Sequence, residues 1–243
     1  MDLLPAPLPA GAWGGFTTRG GGVSAGPYDT LNLGERVGDD PERMHDNRAR
    51  LAAAAGVPAV ALVHAEQVHG AGVAVVDRPV QRAVPAVDAL ITTTPGIALA
   101  VLAADCLPVL LADPTAGVVA VAHAGRAGLA AGVLQETVSA MVGLGATAAG
   151  TTAVLGPAVC GRCYEVPEAL ADSVERLVPG SRGTTRTGTP AIDLLAGARG
   201  ILRRAGVRAV ETVGGCTLEQ PERFFSYRRD GVTGRHAGVA RLS

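Results

Sequence analysis

Apolar residues follow two regimes along the chain. Between residues 97 and 122 they run almost unbroken, cut only by Asp105 and by Asp113-Pro114-Thr115-Ala116. That pattern predicts buried strands on either side of a four-residue turn. Elsewhere apolar residues return every three or four positions, the period of a helix with one buried face. Leu129, Val133, Leu134, Val138 and Met141 predict a helix over 125–142. Leu170, Val174, Leu177 and Val178 predict another starting at Pro167, and Leu194, Leu195, Ala198, Ile201 and Leu202 a third after Asp193. An earlier helix is marked by its ends. Asp40 stands as N-cap with Pro41 at the first helical position, and Gly56 is the stop. Short strands are expected at 73–76 and near Ala153, Val210 and Val239.

The first 38 residues are rich in Gly, Pro and Thr but carry Trp13, Phe16, Leu31 and Leu33, so they read as strands and loops anchored on a core. Residues 179–190 alone look flexible, and no repeat or low-complexity linker appears. The expected fold is α+β: a single compact domain over residues 1–243, mixed β-sheets packed with flanking helices.

Composition narrows the function. Hydrophobic residues are 48% and aromatics 3%, so the core must be built of Ala, Val and Leu. A net charge of −1 argues against a nucleic-acid-coating protein. No apolar run reaches the ~18 residues of a membrane span, and 97–111 is broken by Asp105 and Pro108. The N-terminus lacks the basic flank of a signal peptide. Four Cys in 243 residues make no disulfide framework, which points to a reducing compartment and the cytoplasm. All 21 basic residues are Arg, the side chain suited to phosphate and carboxylate.

Chemistry concentrates at Cys106 and His123. With the turn at 113–116, Ala112 opposes Gly117, and the same register carried outward opposes Cys106 to His123. Directly opposed residues have Cβ atoms roughly 4.5–5.5 Å apart. That suits two ligands of one metal, or a thiol and its base. His69, in Gln67-Val68-His69-Gly70, is the third ligand candidate, with His64 as its alternative. Two His and one Cys leave a tetrahedral metal one open position, the mark of a catalytic zinc site. Copper is the alternative metal.

These residues belong to a longer series. Phe16-Thr17-Thr18-Arg19, Gly26-Pro27-Tyr28-Asp29-Thr30-Leu31-Asn32-Leu33-Gly34, Val37-Gly38-Asp39-Asp40 and Asn47-Arg48 come first. Gln67-Val68-His69-Gly70, Asp88-Ala89-Leu90, Ala104-Asp105-Cys106-Leu107-Pro108 and His123-Ala124-Gly125 follow. Gly156-Pro157, Tyr164-Glu165-Val166 and Phe224-Phe225-Ser226-Tyr227-Arg228-Arg229-Asp230 complete it. Across nearly its whole length the chain resembles the YfiH-like laccase-domain family. Members of that family were long labelled polyphenol oxidases and are better understood as purine nucleoside phosphorylases. The resemblance implies a metal site of His69, Cys106 and His123. It also implies phosphorolysis of adenosine, inosine and methylthioadenosine to the free base and ribose 1-phosphate, together with deamination of adenosine. One departure stands out: the family continues His-Ala-Gly with Trp-Arg-Gly, where this chain has Arg126-Ala127-Gly128.

Within that reaction the phosphate calls for Arg forks and amides. Arg48, Arg228 and Arg229 are the candidates, with Asn32 for substrate. Asp105 or Glu66 would protonate the departing base. The same residues are open to other classes. A cysteine hydrolase would use Cys106 as nucleophile and His123 as base, acting as an amidase on a cell-wall precursor; it has no need of His69. A multicopper oxidase needs more His than the five present, and a non-enzymatic protein would bind metal without turnover. Cys160-Gly161-Arg162-Cys163 is a C-x-x-C. No second pair with suitable spacing accompanies it and Cys216 stands alone, so neither a redox nor a metal role is assigned to it. The Arg-rich stretch 223–235 also holds Asp230, with Glu222 adjacent, and is not a nucleic-acid patch.

Overall fold

Residues 1–243 are all described by a computed structural model. Along the chain come β1 (Leu3–Pro5), β2 (Ala12–Thr17), α1 (Pro41–Ala54), β3 (Leu62–His64), β4 (Val73–Val75), β5 (Ala89–Thr92), β6 (Ala98–Ala103), β7 (Leu107–Asp113) and β8 (Val118–Ala124). Then follow α2 (Arg126–Ala131), α3 (Val133–Gly143), β9 (Thr152–Leu155), α4 (Glu168–Leu177), β10 (Arg182–Thr184), β11 (Pro190–Ile192), α5 (Leu194–Arg204), β12 (Ala209–Thr212), α6 (Tyr227–Asp230) and β13 (His236–Leu242). The fold is α+β, a single domain.

Two mixed sheets stack face to face. One has the order β1-β2-β13-β6-β3 and the other β12-β9-β7-β8-β5-β4, while β10 and β11 form a separate hairpin. Strand alternation sorts side chains into layers. Leu99 and Val101 of β6 meet Leu110 of β7 and Val121 of β8 between the sheets, with Phe16. Ala98 and Ala100 point the other way, onto Leu51 and Ala52 of α1. Val109 and Leu111 face outward from the second sheet onto Leu129, Leu134, Val138 and Ile201 of α2, α3 and α5. Both faces of β7 and β8 are thus covered, which is why their sequence is a continuous apolar run.

The ends of α1 follow cap chemistry: the Asp40 carboxylate accepts the Glu42 N–H, and Gly56 takes the left-handed conformation at φ +68°. Three expectations are corrected. The helix expected over 125–142 is two, because Gly132 at φ +96° ends α2 and starts α3. Residues 179–190 hold an ordered hairpin, β10–β11, docked on the chain by a bridge from Glu165 to Ala191. The β7–β8 turn is 114–117, not 113–116: Asp113 pairs with Val118 and Pro108 with His123. Gly117, at φ +66°, supplies the left-handed residue that closes the turn, and the Asp113 carboxylate accepts the Ala116 N–H across it. Cys106 and His123 are therefore diagonal, two positions off direct opposition. No helix is long and apolar enough to cross a membrane.

Candidate metal centre and its cavity

Three segments deliver the ligating atoms. Cys106 immediately precedes β7, His123 lies near the end of β8, and His69 sits on the loop after β3. Their Sγ and ring nitrogens all lie within 4.8 Å of one another. A diagonal cross-strand pair is still within reach of long side chains, so the shifted register leaves the convergence intact. The His69 and His123 rings meet edge to face, centroids 4.8 Å apart. Gly125 makes room: a Cβ there would lie 2.8 Å from Cys106 Sγ and 3.2 Å from His69 Cδ2.

Asp88, fully buried at the head of β5, organises the cluster. Its Oδ1 accepts the His69 N–H at 3.0 Å and meets His123 Nδ1 at 2.8 Å. Its Oδ2 accepts the N–H groups of Gly70 at 2.7 Å and Val68 at 3.2 Å. The carboxylate thus holds the 68–70 backbone, including the left-handed His69 at φ +60°. It also engages His123 Nδ1, which leaves Nε2 for the cluster, as carboxylates behind metal-binding imidazoles do. Gln67 fixes the same loop from the other side, bonding both polar atoms of its amide to Leu102 at 2.7 Å.

The electrostatics match a ligand set. Burial raises the Asp88 carboxyl, but His123 and the Gly70 and Val68 N–H groups outweigh it and hold it below the usual range. Burial pushes the Cys106 thiol up, yet the imidazole of His123, helped by His69, brings it down to about 6. Burial pushes His123 down, while Cys106 and Asp88 raise it to about 9. One thiolate and two imidazoles, one of them oriented by a carboxylate, fit a zinc-type centre with an open position.

The cluster lines a cavity of about 430 Å³. Arg48 and Arg235 are on its wall, flanking the Leu33-Gly34 backbone: Arg48 Nε donates to Leu33 O at 3.1 Å, and the Leu33 N–H donates to Arg235 O at 3.1 Å. Glu66 lines it too, paired with Arg36 at 2.6 Å. A wider cavity of about 860 Å³ adjoins it and shares Arg48, His64 and Glu66. His64 is buried, its Nε2 without a partner, and burial pushes it down to about 3.

Other candidates are placed elsewhere. Asn32 is fully buried and outside the cavity lining; its amide bonds Gly34, Asp39 and the Arg235 N–H. Both Asp105 oxygens are occupied, by Thr217 Oγ1 at 2.6 Å and the Arg228 N–H at 2.7 Å, and they steady Asp105 at φ +91°. The Arg228 guanidinium lies over Tyr164, 4.8 Å from the ring centre. Arg229 is tied to Asp230, Thr217 O and Phe224 O. Arg126 begins α2 and lines neither cavity described. The residues that sequence reasoning did not single out are Asp88 as the organiser and Arg36 and Arg235 as further arginines of the cavity lining. Asp88 had a signal: a carboxylate placed directly before an apolar strand.

A family model described as "Multi-copper polyphenol oxidoreductase laccase" matches residues 14–243. "Purine nucleoside phosphorylase ORF3" of Streptomyces griseus is 53% identical, covering 98% of this chain and 97% of that one. "Purine nucleoside phosphorylase Rv2149c" of Mycobacterium tuberculosis is 52% identical, over 92% and 89%. The crystal structure of YlmD from Geobacillus stearothermophilus superposes with a TM-score of 0.90 at 36% identity, covering 98% of this chain and 94% of that one.

Proposed function

The chain belongs to the family described as multi-copper polyphenol oxidoreductase laccase, and from that membership and the names of its relatives we propose that it is a purine nucleoside phosphorylase. The observation that carries the reading is the cavity itself. The His69–Cys106–His123 cluster shares its lining with Arg48 and Arg235. Its volume, about 430 Å³, lies within the range of small-molecule sites, roughly 300–1,000 Å³. The substrates would be adenosine, inosine and methylthioadenosine.

In phosphorolysis a phosphate oxygen bonds to C1′ of the ribose as the bond from C1′ to the purine nitrogen breaks. The electron pair leaves on the base, which takes up a proton. Arg48 and Arg235 hold the phosphate dianion through charge-assisted hydrogen bonds. Glu66, which lines the cavity as Glu35 also does, supplies the proton; Asp105 instead holds Thr217 and the Arg228 backbone. Zinc, with copper the alternative, would be held by His69, Cys106 and His123 and would supply Lewis acidity toward the substrate or a water. Adenosine deamination would use the same cavity with water as reactant, giving inosine and ammonia.

The test is incubation of the purified protein with adenosine, with and without phosphate, followed by separation of products. Adenine and ribose 1-phosphate should form only with phosphate present, and inosine in both cases. Adenosine unchanged under both conditions would overturn the proposal.

One observation favours a second reading. Asp88, His123 and Cys106 stand in series as an orienting carboxylate, a base and a nucleophile, with the thiol brought down to about 6. That series would suit a cysteine amidase acting on a cell-wall precursor. It predicts amide hydrolysis by metal-stripped protein and survival of that activity in His69→Ala.

A further inference from the structure

The C-x-x-C motif at Cys160 and Cys163 does not stand alone in space. Cys216 and Glu219, from the loop after β12, lie against it. One ligating atom from each of the four residues falls within 4.8 Å of all the others. The Glu219 carboxylate accepts from Cys163 Sγ at 3.0 Å and lies 4.0 Å from Cys160 Sγ. Cys160 and Cys163 occupy one turn, whose Cys163 and Tyr164 N–H groups both donate to Cys160 O. The Cys160 N–H donates to Cys216 Sγ at 3.4 Å. Cys216-Thr217-Leu218-Glu219 thus supplies, as C-x-x-E, the second pair that the sequence lacks as C-x-x-C.

We propose that Cys160, Cys163, Cys216 and Glu219 form a second metal site, a structural zinc centre separate from the one on the cavity. Three sulfurs and one carboxylate oxygen are a closed tetrahedral donor set, and thiolate-rich sets select zinc over magnesium or calcium. A tetrahedron with zinc–sulfur bonds of about 2.3 Å has edges of about 3.8 Å, close to the spacing already present. Binding replaces three thiol protons by one divalent cation, so three thiolates, one carboxylate and the metal carry a net charge of −2. Arg186, bonded to Glu219, and nearby Arg162 offset it.

The site would clamp two segments that also meet at the bridge between Ala158 and Cys216 and through the Thr217 N–H to Ala158 O bond. The clamp reaches the cavity through covalent neighbours. Thr217, next to Cys216, donates to Asp105, and Asp105 precedes Cys106.

The test uses the full chain, purified reduced, loaded with zinc, desalted and analysed for metal per chain. Wild type should hold two zinc, Cys163→Ser one and His123→Ala one, with only the double variant holding none. Loaded with cobalt(II), Cys163→Ser should keep about one quarter of the thiolate–cobalt absorption, since one of four thiolates remains. Glu219→Ala removes an exposed carboxylate and leaves the fold, followed by circular dichroism, unchanged. It should release its second zinc to a competing chelator about tenfold more readily than wild type. One zinc in wild type with none in His123→Ala would overturn the proposal. So would an intact mass showing a disulfide among these cysteines in protein that takes up no second zinc after reduction. No readout uses nucleoside turnover, so this site and the phosphorylase reading stand or fall separately.

Discussion

Asp88→Asn keeps the shape of the side chain and removes one of the two oxygens that four donors face. In wild type, Oδ1 serves the His69 N–H and His123 Nδ1, and Oδ2 serves the Val68 and Gly70 N–H groups. Whichever way the amide turns, its NH2 group confronts two donors at a fully buried position. A buried donor left without an acceptor costs about 1–3 kcal/mol, so two cost about 2–6 kcal/mol. Against a domain stability of about 5–15 kcal/mol, a loss near the middle of its own range leaves the variant folded. Zinc affinity should fall about 10–100-fold, the usual cost of losing the partner behind a ligating imidazole. The pH dependence should change as well. The Asp88 carboxyl is held below its ordinary range, so its contribution is present above the unfolded pKa and lost as pH falls through the folded one. Wild type should therefore lose stability more steeply than the variant below about pH 4. Urea unfolding of chelator-treated protein at pH 7.5 and pH 3.5, with a zinc competition titration, measures all three effects. A loss under about 1 kcal/mol at pH 7.5 with zinc affinity unchanged would refute the assignment of Asp88 as organiser.

Further outcomes follow from other contacts. Gly125→Ala should abolish metal binding at the cavity while the chain still folds, because the new methyl would stand 2.8 Å from Cys106 Sγ; zinc retained at full affinity would contradict this. His236 is fully buried, with neither ring nitrogen partnered, and burial pushes its pKa from 6.5 down to about 4. Its contribution to stability is complete above pH 6.5 and falls as pH drops toward 4, a loss of about 3 kcal/mol. His236→Leu should flatten the urea midpoint across that window, and an unchanged slope would assign the acid sensitivity elsewhere. Arg235→Lys should raise the phosphate concentration needed for phosphorolysis about tenfold, since Lys lacks the planar fork. Arg229→Lys, which perturbs bonds to Asp230, Phe224 O and Thr217 O, should lower the melting temperature and leave the phosphate dependence alone. The reverse pattern would move the phosphate site to the C-terminal motif.

Much of this protein is written locally in its sequence. Asp40 and Gly56 bound α1 because cap and stop depend only on neighbouring backbone groups. The periods of α4 and α5 and the apolar runs of β7 and β8 are legible for the same reason. Cys106 and His123 stand out because the hairpin brings them across from each other, and His69 because it sits in a motif of the same family resemblance. The sequence pattern did not decide how distant segments meet. One left-handed glycine, Gly117, moves the β7–β8 register by two residues, and another, Gly132, divides a helix that periodicity alone reads as continuous. Arg48, Arg228 and Arg229 are chemically equal on paper. Only packing turns Arg48 into the cavity, lays Arg228 on Tyr164 and ties Arg229 to carbonyls. Arg235 joins the cavity because β13 is inserted between β2 and β6, a long-range pairing that no local pattern encodes. Cys216 likewise reads as a lone core thiol until the parallel alignment of β9 and β12 carries it, with Glu219, to Cys160 and Cys163. Local chemistry fixes which groups are available, and sheet order fixes which of them share a site.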